Sequence, residues 1–171
     1  MGADPHGRAG SIYQIEPCSM SEIEPSSKCL VELAYFYNPA DGRPVGQNQA
    51  AIRMNSQQMS AQEIRASFAN MPQGWYDEVE DPGFDRNGVD NFRFKSGTGH
   101  YTQVVWADTD EVGCGLVYYL DGSWFTTLVH CNYATAGNWG GQSLYRRGEP
   151  CTECPEGFNF CENGLCSKER L

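Results

Sequence analysis

Val112 to Asn132 reads VGCGLVYYLDGSWFTTLVHCN. Two runs rich in β-branched and aromatic residues meet at Asp121-Gly122-Ser123, the composition of an antiparallel hairpin. Its register decides which cysteines can meet. A two-residue turn at Asp121-Gly122 sets Cys114 opposite Val129 and leaves Cys131 on the diagonal, where pairs are generally too distant to bridge. A loop centred on Gly122-Ser123, or a four-residue loop Asp121 to Trp124, moves the register by two and puts Cys114 directly against Cys131. We take that second register, and with it a Cys114–Cys131 disulfide. His100 to Ala107 (HYTQVVWA) has the same strand-like character, so the expectation is a three-stranded antiparallel meander.

A helix signal lies upstream. Ser60-x-x-Glu63 has the form of a capping box, in which hydroxyl and carboxylate each satisfy a backbone N–H at a helix start. Ile64, Phe68, Met71, Trp75 and Glu78 then recur at steps of four, three, four and three, so one face carries all five. Pro72 and Gly74 interrupt the run, which predicts one segment ending near Met71 and another across Gln73 to Glu80, stopped by Asp81-Pro82-Gly83. Before residue 46, Pro5, Pro17, Pro25, Pro39 and Pro44 break any long helix and leave room for a short one over Ser27 to Tyr37.

The 171 residues carry 22 acids against 12 bases, a net charge of −10. Phosphate neutralisation therefore has no obvious source, and nucleic acid is not an expected partner. No run approaches the roughly 18 apolar residues of a membrane span, and Met1 to Gly10 lacks the apolar stretch of a signal peptide. Eight cysteines fall at Cys18, Cys29, Cys114, Cys131, Cys151, Cys154, Cys161 and Cys166. The last four are spaced C-x2-C-x6-C-x4-C, and only the first half fits a zinc ribbon. With acidic composition and aromatic strands, disulfides are expected rather than zinc, hence an oxidising, extracellular setting. Set beside the missing signal peptide, that implies a defective or alternative start at Met1.

Gly99-His100-Tyr101-Thr102-Gln103-Val104-Val105-Trp106, Val112-Gly113-Cys114-Gly115, and His130-Cys131-Asn132-Tyr133 followed by Ala136-Gly137-Asn138 resemble, in order, the signatures of the CAP (SCP/TAPS) superfamily. That superfamily covers cysteine-rich secretory proteins, insect venom antigens, plant pathogenesis-related proteins and helminth venom-allergen-like proteins. Trp75-Tyr76-Asp77-Glu78 and Gly46-Gln47-Asn48 add to the match. The resemblance implies an α+β fold, a three-layer α-β-α sandwich with a central antiparallel sheet. It implies an irregular start over residues 1–17, a CAP domain over 18–148 lacking its opening helix, and a short disulfide-stapled hinge over 149–171. Within that hinge it implies Cys151 paired with Cys161 and Cys154 with Cys166. Cys18 and Cys29, which resemble a pair carried by nematode members, are left to each other by elimination. One unbroken helix would hold them about 16 Å apart, and Pro25 offers the break that could bring them together.

The resemblance also implies a cleft bearing two His and two Glu. His100 and Glu78 match two of these positions, Gln47 stands where the family's Gly-Glu-Asn motif has its Glu, and Ala34-Tyr35-Phe36-Tyr37-Asn38 offers no second His. A carboxylate on an apolar helical stripe needs a partner, and an imidazole would be fixed in one tautomer by it. Zinc needs three or four good ligands, and His100, Glu78 and the amide of Gln47 fall short, so no metal or other cofactor is expected. Hydrolysis needs a nucleophile, yet Ser96, Thr98 and Thr102 sit in no strained elbow. His130 reads as a structural or surface histidine. Tyr101, Trp106, Tyr118, Tyr119, Trp124, Phe125 and Tyr133 read mostly as sandwich core, with a few left to line an apolar groove. The function implied is that of a secreted, non-enzymatic venom-allergen-like protein engaging a host protein or carrying sterol or fatty acid. Two other readings stay open: a divalent-metal-dependent binder or hydrolase at the His/Glu cleft, and a structural member whose cleft is inactive.

Overall fold

A computed structural model of the chain describes residues 42–55, 58–168 and 170. The expectations for residues 1–41, Cys18 and Cys29 included, lie outside the described residues. Three antiparallel strands, β1 (Val45–Asn55), β2 (Glu111–Asp121) and β3 (Trp124–Ala134), form a sheet in the order β1-β3-β2. Asp121 pairs with Trp124, so the β2–β3 turn is Gly122-Ser123, with Gly122 at φ 63° supplying the left-handed backbone such a turn requires. Cys114 consequently faces Cys131 across the two strands, and the two are joined by a disulfide.

The third strand is β1 and not His100 to Ala107. Gly99–Val104 instead forms a six-residue helix, α2. Tyr101, Thr102 and Gln103 are buried there, and the Thr102 and Val105 N–H groups bond back to the Thr98 and Tyr101 carbonyls at 3.1 Å each rather than to a neighbouring strand. β1 pairs along its whole length with β3, from Val45 against Ala134 to Asn55 against Trp124, which makes β3 the central strand.

The capping box at Ser60 is formed: Ser60 Oγ accepts from the Glu63 N–H at 3.3 Å, and Glu63 Oε2 accepts from the Ser60 N–H at 2.7 Å. The helix it opens, α1 (Ala61–Asp77), is continuous through Pro72 rather than split there, and a π-type turn over Val79–Gly83 follows it. Pro72 withholds its N–H from the Phe68 carbonyl, but Phe68 lies on a flank that is 38% exposed, where water can take that carbonyl. Met71 and Trp75 on either side of the proline stay buried against Val129, Cys131 and Tyr133 of β3, and this packing holds both halves of the helix in line. Ile64 packs with Met59 and Tyr118. Phe68 is therefore the one apolar member of the stripe that does not enter the core.

A separate corner is closed by Phe92, Trp106 and Leu144. The Leu144 N–H donates to the Val89 carbonyl and the Ala107 N–H to that of Leu144, both at 2.8 Å, which ties the loops together without regular structure. The chain ends in a small hairpin, β4 (Phe160–Glu162) and β5 (Leu165–Ser167), with disulfides Cys151–Cys161 and Cys154–Cys166.

Candidate functional site

The end of α1 meets the start of α2 through one side chain. Glu78 Oε1 lies 2.6 Å from His100 Nδ1, and Glu78 Oε2 accepts the backbone N–H groups of His100 and Tyr101 at 3.0 Å each. Those N–H groups open α2 and have no carbonyl within their own helix to bond, so Glu78 caps α2 from another element. An ionised carboxylate only accepts, so the ring proton sits on Nδ1 and Nε2 is the nitrogen facing away from Glu78. The Glu78 side chain is 16% exposed and that of His100 43%, which places the pair at the floor of an open surface. The Trp75 indole stacks on the imidazole, with ring centroids 6.0 Å apart and planes 29° from parallel.

Further side chains fix α2 against the sheet and the following loop. Asn48 of β1, fully buried, donates to the His100 carbonyl at 3.1 Å and to the Tyr133 hydroxyl at 3.3 Å. Asn138 donates to the Gly99 carbonyl at 3.0 Å and accepts from the Thr102 hydroxyl at 2.6 Å. Gln103 accepts the Gly137 N–H at 2.9 Å and donates to Thr109 Oγ1 at 3.2 Å. The three sequence motifs that surround His100 thus converge on one helical turn. Their Asn and Gln residues supply the framework, a role that spacing alone did not assign to them.

Gln47 stands exposed on β1, opposite Asn132 and one residue from Asn48, whose side chain donates to the His100 carbonyl. His130 is buried with its ring between the side-chain oxygens of Gln49, at 3.4 Å, and Asn132, at 3.1 Å. Among the aromatics, Tyr101, Trp106, Tyr118 and Tyr133 are buried while Trp124 is 45% exposed. Burial pushes the Tyr101 hydroxyl up to about 12, with the neighbouring Tyr145 and Tyr76 adding to it. Tyr133 is raised by burial against the opposing bond from Asn48.

The donor set does not suit a divalent metal. Glu78 has three donors on its two oxygens and His100 Nδ1 is engaged, which leaves His100 Nε2 as the ring nitrogen the pair offers, short of the three protein ligands a zinc site uses.

The profile of the Cysteine-rich secretory protein family (CAP) matches residues 29–133. Salivary antigen-5 of Dipetalogaster maximus is 40% identical over 177 residues, covering 96% of this chain and 68% of the relative. Venom allergen 5 of Microctonus hyperodae is 44% identical over 101 residues, covering 59% of this chain, so the match spans 41% of that relative's length. Among solved structures, BmVAL-1 is similar with a TM-score of 0.58 at 26% identity, covering 74% of this chain and 62% of that one. The fold shared with these neighbours is the three-layer α-β-α sandwich with an antiparallel sheet, to which α1, α2 and β1 to β3 contribute the helical layer of one face and the sheet.

Proposed function

Because the chain belongs to the Cysteine-rich secretory protein (CAP) family, we propose that it is a secreted binding protein and not an enzyme, with His100 and Glu78 bracing the cleft rather than turning over a substrate. The observation that carries this reading is how Glu78 is spent. Of about four acceptor positions on a carboxylate, three are taken by the His100 ring and by the first N–H groups of α2. The hydroxyls of Thr98 and Thr102 are committed as well: Thr98 donates to the Lys95 carbonyl, and Thr102 donates its one proton to Asn138 Oδ1 at 2.6 Å, with the Thr98 and Gly99 carbonyls also within reach. A general base needs a nucleophile within hydrogen-bond reach, and these hydroxyls point elsewhere.

On this reading the partner is a host protein or a sterol or fatty acid, taken up through surfaces that the braced cleft holds in shape. Solvent extraction of the purified protein followed by mass spectrometry separates the two. A recovered sterol or fatty acid assigns a carrier, and nothing above background leaves protein recognition. Hydrolysis of ester or peptide substrates that is lost in His100→Ala overturns the binding reading altogether. The metal-dependent reading rests on the half-open His100 ring, and zinc calorimetry on wild type and His100→Ala addresses it. Equal heats remove it, whereas stoichiometric binding lost with His100 establishes it.

A further inference from the structure

Arg146-Arg147 is the single place in the 171 residues where two basic residues adjoin. It lies between Leu144, which is fully buried in the Phe92–Trp106 corner, and Cys151, where the cross-linked tail begins. Arg146 to Pro150 are five consecutive exposed residues outside any helix or strand. An exposed, irregular segment of this kind is where an endoprotease can draw the backbone into its cleft.

The tail beyond it is covalently self-contained. Cys151 is bonded to Cys161 and Cys154 to Cys166, so all four tail cysteines are used within the tail and none is left to hold it to the rest of the chain. Polar ties that cross the junction join side chains open to water, except that Asp110 is partly buried. Arg146 meets Glu153 at 3.2 Å and Lys168 meets Asp110 at 3.5 Å, contacts that contribute little in water.

We propose that Arg146-Arg147 is a processing site at which a serine endoprotease selective for paired basic residues hydrolyses the Arg147–Gly148 bond and releases residues 148–171 as a separate peptide. One water is consumed, Arg147 gains the new carboxylate and Gly148 the new ammonium group. Both disulfides stay intact, so the released peptide keeps its β4–β5 hairpin and its five acids against two bases. The Arg147 guanidinium is held at 2.9 Å by Asp90 and also donates to the Arg86 carbonyl. It must leave both to enter a protease pocket, which makes Asp90 a brake on the cut. The inference is independent of what the cleft at His100 binds.

The test uses the full-length oxidised chain, a serine endoprotease of paired-basic specificity and native buffer, followed by non-reducing mass spectrometry. The expected result is one early cut and a free fragment with the mass of residues 148–171 less four hydrogens, obtained without reductant. Arg147→Gln abolishes that fragment, and Asp90→Asn raises its initial rate of release. Because the wild-type fragment mass locates the bond by itself, the outcome does not hang on either variant folding. A chain still intact after prolonged exposure, a first cut at any other basic residue, or fragments that separate only after reduction would overturn the proposal.

Discussion

Replacing Glu78 with alanine removes one acceptor from three donors at once. The carboxylate takes His100 Nδ1 at 2.6 Å and the N–H groups of His100 and Tyr101 at 3.0 Å, with its side chain only 16% exposed. A hydrogen bond to a charged group contributes about 1.5–3 kcal/mol, and loss of a side-chain helix cap costs about 0.5–2 kcal/mol. The His100 side chain is 43% exposed, so water recovers part of the ring's loss. The expected destabilisation is therefore about 3 kcal/mol, below the simple sum of three bonds. For a chain of this size that corresponds to a fall in Tm of about 6–12 °C. Glu78→Gln separates the cap from the charge. Its amide oxygen can still accept from the start of α2, but its amide N–H groups confront Nδ1–H unless the ring takes the opposite tautomer, so a smaller loss of about 1 kcal/mol accompanies a swap of the His100 ring-nitrogen signals. Urea unfolding near neutral pH and nitrogen NMR of the imidazole measure both. If Glu78→Ala stays within about 0.5 kcal/mol of wild type and the Tyr101 amide keeps its exchange protection, Glu78 does not brace α2.

Other consequences follow from single contacts. Cys114→Ser/Cys131→Ser opens a cross-link with a sequence separation of 17 and should lower stability by about 3 kcal/mol, read as Tm under non-reducing conditions; an unchanged Tm contradicts the bridge. A methyl group on Gly137 would stand 2.8 Å from Trp106 Cγ and 3.0 Å from Gln103 Nε2, so Gly137→Ala should cost about 1–3 kcal/mol in urea unfolding. Tyr101 ionises near 10 when unfolded and about 12 when folded, so the unfolded state loses its proton first: the tyrosine's contribution is intact below pH 10 and is lost as pH rises through 12. The alkaline decline in stability measured by urea unfolding should be shallower in Tyr101→Phe, and identical slopes would count against the burial of that hydroxyl.

The parts of the fold legible in the sequence are those set by local chemistry. The capping box at Ser60 and Glu63 and the three- and four-residue spacing from Ile64 announce α1, and the Cys114–Cys131 alignment rules out the Asp121-Gly122 turn and fixes the β2–β3 register. Where tertiary contacts decide, sequence pattern misleads. Val104, Val105 and Trp106 are strand formers, yet α2 needs only six residues and takes its stability from Glu78, Asn48 and Asn138 rather than from propensity. β1 runs through Gln47, Asn48, Gln49, Ala50 and Ala51, poor strand formers, and is extended because β3 offers eleven paired positions. Pro72 marks a break in any isolated helix, but burial of Met71 and Trp75 on one surface overrides it.

The candidate site divides along the same line. His100 and Glu78 carry recognisable motif positions and meet at 2.6 Å. Asn48, Gln103 and Asn138 lie inside quoted motifs too, but an amide whose bonds run to the backbone of a distant turn leaves no periodic trace, so their framework role became visible only with the fold.

Disulfides rather than reactive thiols at the six cysteines of the described residues are the premise on which the proposed binding function and the proposed release of the tail both rest. Titration of thiols on denatured, unreduced protein from its native source tests it most directly. The account predicts no reaction from Cys114, Cys131, Cys151, Cys154, Cys161 or Cys166, each of which is paired. Reaction of all six would contradict it and return the chain to a reducing compartment.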